Sequence, residues 1–344
     1  MSFKFWIKVF TLSAISFFTI TSAFNYIINP YDIFNHNIFS SFIKVKNHSV
    51  SKRMRIFYNT KKSNPKNLMI GTSRIGILSA NDVEKYLGKN TSNMSIPGAN
   101  IEEQIQYLNY MINTYNIKNI VWSLDFFSFN PDLKNDSTFS YDRVNPNTFI
   151  KNDHKIALFS LQTTMNSFKT LIDNIKLKDK KSELSLKEQE NQIYLAMKHK
   201  DIDLKTKIQL HYYSNKFLKY STFNNPNSIQ KNMKNFKKIL STCRDKKINI
   251  YIYTSPVQAS FLNLYKKIGL ENTFIHWKKQ LQNITSYTDF ATYNSITNNT
   301  YNFIDGTHIM PNFSPIIFAK IFKDSKVKTP KDFGIYKKQK QIHN

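Results

Sequence analysis

Three residues of this 344-residue chain have types and placements suited to nucleophilic chemistry: Ser73, Asp305 and His308. Ser73 stands in "NLMIGTSRIG", where a short apolar run breaks on Gly71 and at once presents a hydroxyl. Asp305 and His308 stand three apart in "IDGTHIM", ahead of the last apolar helix pattern. A serine nucleophile needs a base to take its proton, and that base needs a carboxylate to fix its tautomer. An Asp-x-x-His turn supplies both from one loop, and imidazole has the acid–base range for work near neutral pH. Each piece alone has a plain structural reading: a Gly-x-Ser turn commonly just ends a strand, and one of eight histidines three residues from an aspartate is commonly incidental. Their order along the chain and the elements around them give the combination its weight.

Those elements alternate. "NLMIG", "NTSNMSI" and "IKNIVWSLDFF" read as strands, the third apolar on both sides and so central and parallel. Between them, "SANDVEKYLG" opens on a cap cluster and closes on Gly88, and "NIEEQIQYLNYMINTYN" spaces Ile101, Ile105, Leu108, Met111 and Ile112 as a helix. After residue 227 the alternation resumes with a helix, the strand "INIYIYTSP", further helices and a closing loop and helix. The pattern predicts an α/β fold, a three-layer sandwich around a mainly parallel, flavodoxin-like sheet. In such sheets the active crevice lies beyond the carboxyl ends of the strands. Ser73, Gly98 and Asp125 all fall there, each just after a strand.

Taken together, "GTSR" after the first strand, "IPGAN" after the second, "SLDFFSFN" after the third and "DGTH" near the C-terminus resemble the SGNH (GDSL-like) hydrolase superfamily. The likeness covers residues 66–130 and 245–323 and is strongest to membrane-anchored bacterial members that act on cell-envelope acyl groups. The chain order Ser, Asp, His is also that of the α/β-hydrolases, but "GTSRI" ends in Ile75 where their nucleophile elbow has glycine. The resemblance implies Ser73 as nucleophile, His308 as base and Asp305 as its orienting carboxylate, with the Ser73 and Gly98 amides forming an oxyanion hole. Two positions depart from the family pattern. Thr72 replaces an aspartate, and Asp125 stands where an asparagine side chain would serve the oxyanion. An ionised Asp125 would oppose the developing charge, so the donor is expected to be Asn130 or another group. Asp125 itself is expected to be held aside by the amides of its own turn or by a nearby cation. Arg74, one of only five arginines, either pairs with a neighbouring carboxylate or holds an anionic part of a substrate.

Net charge is +26, but lysine supplies 44 of the 49 basic residues where nucleic-acid recognition favours the guanidinium fork, and the composition resembles genome-wide drift as much as selection for a polyanion. Nucleic acid is therefore not an expected partner. The single cysteine, Cys243, excludes an intrachain disulfide and reads as a small apolar helix residue. No zinc-like ligand spacing or phosphate loop is present, so no metal and no cofactor is expected. Val9–Tyr31 runs 23 residues without a charge after Lys4 and Lys8, long enough for a transmembrane anchor with the remainder of the chain extracytoplasmic. A signal peptide cleaved near Thr21–Ala23 is the shorter alternative.

The resulting map has an anchor at 1–31, an irregular basic neck at 32–65, an SGNH-like domain at 66–326 with a helical insert at about 132–227, and a basic tail at 327–344. The resemblance implies a serine esterase or O-acyltransferase at the bacterial cytoplasmic membrane, acting on an acylated envelope glycan or related polymer. Its partners would be that polymer, membrane lipid through the N-terminal helix, and an envelope complex. The rival expectation is a catalytically inactive SGNH-fold binding or assembly protein of such a complex.

Overall fold

The computed structural model describes residues 2–36, 38, 52–148, 151–179, 202–218 and 222–340. It divides into two compact units, one of residues 1–62 with 138–183, the other of residues 63–137 with 184–344.

The second unit is an α/β structure on a six-stranded sheet. Its strands are β1 (Asn67–Gly71), β2 (Thr91–Ser95), β3 (Asn119–Leu124), β4 (Asn249–Thr254), β5 (Tyr287–Asp289) and β6 (Ile335–Lys337), in the order β2-β1-β3-β4-β5-β6. The first five are parallel, with Ile70 opposite Trp122 across β1 and β3 and Trp122 opposite Ile252 across β3 and β4. β3 is central, and all but its first residue are buried, as a strand covered on both sides requires. The strand order reverses between β1 and β3, and Ser73 follows β1 at that switch.

Met69, Val121 and Tyr253 share one buried cluster with Phe303, Ile309, Ile317 and Phe318. Trp122 takes the ring of Phe236 edge-on at 5.2 Å and donates its indole N–H to Gln104 Oε1 at 2.9 Å. Deleting such a fully buried ring costs about 3–5 kcal/mol, so Trp122 is a principal anchor of the central strand.

β6 corrects the reading of 327–344 as a tail. It pairs antiparallel with β5, Tyr287 opposite Lys337. Three residues carry too little periodicity to read as a strand, and flanking lysines are what an edge strand uses against further pairing.

The first unit is helical. Its N-terminal helix, Phe3–Ile28, has 26 residues and a mean hydropathy of 1.5 over its most apolar window. It is long and apolar enough to cross a membrane, spanning about 39 Å at 1.5 Å per residue. It ends on Asn29, left-handed at φ 49°, whose Oδ1 accepts the Ile33 amide at 2.9 Å. Asparagine tolerates this conformation by such local bonding. The helices Asn152–Phe159 and Leu161–Asp179 pack against it. Arg143 braces the first of them with a buried bidentate contact to Asp153, at 2.7 and 2.8 Å.

Two boundaries of the expected map change. Residues 52–63 of the neck form a helix rather than irregular chain. The insert at 132–227 contributes no strand among the described residues, but it is not one body. Residues 138–183 belong with the N-terminal helix, and the helix Ile202–Lys216 belongs with the sheet. Most of the Lys-rich run 176–190, His199 and neck residues 39–51 lie outside the described residues.

Candidate active site

β1 ends on Gly71, where an added Cβ would lie 2.8 Å from the Ser123 carbonyl oxygen of β3, so only glycine lets the two strand ends close up here. Thr72 caps the four-residue helix Ser73–Gly76, its hydroxyl accepting the Arg74 amide at 3.4 Å. Ser95 Oγ donates to the Thr72 carbonyl at 3.1 Å and ties the turn to β2. Ser73 thus opens a helix from a braced turn, and its own amide has no intrahelical acceptor.

The loop bearing Asp305 and His308 is closed by an antiparallel bridge between Phe303 and Ile309 and by the Ile304 amide on the His308 carbonyl at 2.8 Å. Within it, Asp305 Oδ1 accepts the amides of Thr307 and His308 and the Thr307 hydroxyl, each at 3.0 Å. Such side-chain-to-backbone bonds let aspartate build the turn that presents the neighbouring histidine. Gly306 sits at φ +84°, with Thr206, Gln258 and Phe261 at 3.1–3.2 Å from where a Cβ would stand.

Ser73 Oγ lies 2.8 Å from His308 Nε2, and His308 Nδ1 lies 2.7 Å from Asp305 Oδ2. With Nδ1–H donating to the carboxylate, Nε2 is left to accept the serine proton. Burial alone would raise the Asp305 pKa, but hydrogen bonds from the His308 ring and from the Thr307 and His308 amides outweigh it and hold the carboxyl below its ordinary value.

Asp125, just after β3, is fully engaged. Its Oδ1 takes Arg74 Nη1 at 2.6 Å and its Oδ2 the Thr72 hydroxyl at 2.6 Å. The ion pair is buried, with side-chain exposures of 4% and 0%. Burial works against the Arg74 cation, but Asp125 outweighs that effect and the guanidinium pKa is raised. The guanidinium carbon also lies over the rings of Phe127 and Tyr213, 5.5 and 5.6 Å from their centroids. Asp125 is thus held aside by a nearby cation, and of the two roles expected for Arg74 the structure shows the pairing with a neighbouring carboxylate, behind the Ser73 turn.

Asn130, expected as one candidate oxyanion donor, is instead turned to the backbone of neighbouring segments. It is 1% exposed, and its amide joins two chain segments, Nδ2 to the Phe217 carbonyl at 2.8 Å and Oδ1 to the Asp132 amide at 3.0 Å. Gly98 sits in a turn closed by the Ala99 amide on the Ile96 carbonyl at 3.1 Å, left-handed at φ +65°. Its own amide has no acceptor among the described residues. Beside it opens a cleft of about 520 Å³ lined by Pro97, residues 132–137, Lys216 and Phe217.

Three further neighbours of the site, Gln209, Tyr213 and Thr307, are not among the residues the sequence singles out. Gln209 reaches Asp305 Oδ2 at 3.4 Å, and Tyr213 covers Arg74. Both come from the helix Ile202–Lys216, whose sequence gives no sign of where it docks. Thr307 could have been found, because it stands inside the Asp-x-x-His turn. Among the described residues no group of three or more His, Cys, Asp or Glu is placed to hold a metal ion. No family model matches the chain, and no curated protein matches it.

Proposed function

We propose that the protein is an SGNH-type serine esterase or O-acyltransferase, held at the bacterial cytoplasmic membrane by its N-terminal helix with the sheet unit extracytoplasmic. The single observation that carries this reading is the unbroken relay from Ser73 Oγ to His308 Nε2 and from His308 Nδ1 to Asp305 Oδ2, at 2.8 and 2.7 Å. The strand order β2-β1-β3-β4-β5 supports it, being the order of flavodoxin-like doubly wound sheets with their crevice at the β1/β3 switch. Neighbouring residues of β3 also pack into different surroundings, Val121 with Phe318 and Trp122 with Phe236, as in a three-layer sandwich.

In this mechanism Ser73 Oγ attacks the acyl carbonyl carbon while His308 Nε2 takes its proton. The oxyanion is met by the Ser73 and Gly98 amides. The C–O bond to the alcohol then breaks, His308 returns the proton to the leaving oxygen, and the acyl group remains on Ser73. Water or a sugar hydroxyl, deprotonated by His308, takes the acyl group and frees the serine. General-base assistance of this kind contributes about 10²–10⁴-fold, and each oxyanion donor about 2.7–4 kcal/mol. The cleft beside Gly98 carries Asp132, Lys134, Asp136 and Lys216, a polar lining that suits a hydroxyl-rich envelope glycan or related polymer. The rival, an inactive binding or assembly protein of an envelope complex, drew its support from a carboxylate facing the oxyanion. With Asp125 engaged by Arg74 and Thr72, that objection loses its ground.

The test is labelling with a fluorophosphonate probe, which needs an activated hydroxyl. The wild type is expected to gain one adduct at Ser73 and to hydrolyse a small acyl ester, and Ser73→Ala to do neither. Equal background hydrolysis by both proteins, with no adduct, would select the inactive fold.

A further inference from the structure

The helix Leu161–Asp179 is built inside out. Its residues Thr163, Asn166, Ser167, Thr170 and Asn174 are 0–4% exposed, whereas Leu161, Met165, Phe168, Ile172 and Ile175 are 50–76% exposed. The apolar set recurs at steps of four and three and the polar set falls between them at 163, 166/167, 170 and 174, so each lies along one face, and the two faces are opposed. A water-soluble helix puts its apolar stripe inward. This one buries polar side chains and turns its apolar stripe out.

The buried face is fastened to the end of the N-terminal helix. Ser167 Oγ donates to Asn25 Oδ1 at 2.9 Å, Asn25 Nδ2 donates to Thr164 Oγ1 at 3.0 Å, and Asn166 Nδ2 donates to the Tyr31 hydroxyl at 2.9 Å. Polar pairs between helices with apolar surfaces outside are how helices associate where the surrounding solvent is hydrocarbon. Phe168 meets Phe24 of the N-terminal helix with ring centroids 4.8 Å apart, so the exposed stripe continues the apolar surface of the candidate span. That span exposes Phe17, Phe18 and Ile20 by 55–70%. At the margins of the stripe, Lys169 and Lys176 are exposed and outnumber the half-buried Asp173, a charge balance that suits anionic headgroups.

We propose that the helix Leu161–Asp179 lies in the headgroup and acyl boundary of a lipid bilayer, its stripe from Leu161 to Ile175 in contact with lipid, as a second membrane-contacting element beside the N-terminal helix. The inference rests on the membrane reading of that N-terminal helix and is independent of any chemistry at Ser73. Such an interfacial helix binds through its apolar face together with attraction to anionic lipid.

The experiment uses the full-length chain in phosphatidylglycerol/phosphatidylcholine vesicles, with single spin labels on Met165→Cys, Ile172→Cys and Ile175→Cys. Cys243 is fully buried and stays in place. Collisions with dissolved oxygen, which concentrates in hydrocarbon, are compared with those of a water-borne nickel complex. Ile275→Cys and Tyr293→Cys, 44% and 53% exposed in the sheet unit, serve as aqueous references, and Leu12→Cys serves as the reference for the span. Oxygen is expected to exceed nickel severalfold at 165, 172, 175 and 12, with the reverse at 275 and 293. Nickel access at 165, 172 and 175 equal to that at 275 overturns the proposal. Exclusion of both agents there also overturns it, since protein would then cover the stripe. A water-exposed Leu12→Cys removes the anchor and the proposal together. The Ser73→Ala background leaves the expected pattern unchanged, which separates this outcome from that of the catalytic reading.

Discussion

Arg74 and Asp125, 51 residues apart, meet with Nη1 2.6 Å from Oδ1 in a pair closed off from solvent. Arg74 is the residue after the candidate nucleophile, and Asp125 also binds the hydroxyl of the residue before it. The pair therefore fixes both sides of Ser73.

Asp125→Asn is expected to destabilise the protein by about 3–5 kcal/mol, the usual cost of leaving one member of a buried pair uncompensated. Because the pair fixes both sides of Ser73, turnover of a small acyl ester should fall along with stability. Chemical denaturation of Asp125→Asn, Arg74→Met and the double variant checks this. The double variant should lose less than the sum of the two singles, because the stranded charge is gone. Full additivity would show that the pair does not act as a unit.

Gly306→Ala should impair the candidate site more than the fold. The left-handed φ of +84° costs a non-glycine residue roughly 1–2 kcal/mol, and the new methyl would press on Thr206, Gln258 and Phe261. The turn would move His308 away from Ser73. The expected readout is a kcat reduced at least about tenfold, one decade per roughly 1.4 kcal/mol, with KM little changed. A variant with wild-type kcat would show that the turn is not strained by the methyl.

Asp305 gives stability a defined pH dependence. Its folded pKa is below the ordinary carboxyl value, so the native state favours the ionised form. That contribution is complete above the unfolded carboxyl pKa of about 3.9 and is lost as pH falls through the lower folded value. The stability advantage of wild type over Asp305→Asn should therefore be flat at neutral pH and shrink as the solution becomes acidic. Denaturation midpoints of both proteins measured across that range test it. An advantage that grows on acidification would mean the sign is wrong.

Local pattern in the sequence determined a good part of this protein. The apolar runs of β1 to β4 and the glycine that ends β1 announce an alternating α/β chain, because strand and helix periods are written into neighbouring residues. Ser73, Asp305 and His308 stand out as chemically competent types in short turns, and the uncharged N-terminal run is long enough to cross a bilayer by count alone. Tertiary structure decided the rest. Whether Ser73 and His308, 235 positions apart, come within 2.8 Å depends on how the strands order and on a turn held by Asp305. The partners of Asp125 and Asn130 were open because a side chain's charge does not say what will face it. Gln209 and Tyr213 arrive on a helix with no local mark of its docking site, and β5 and β6 are three residues each, too short to show a period. Periodicity in Leu161–Asp179 separates a polar from an apolar face, but only packing against Asn25 and Tyr31 decides which of them is turned inward. Sequence fixes contrast along a helix. Contacts between elements distant in the chain fix the side that is buried.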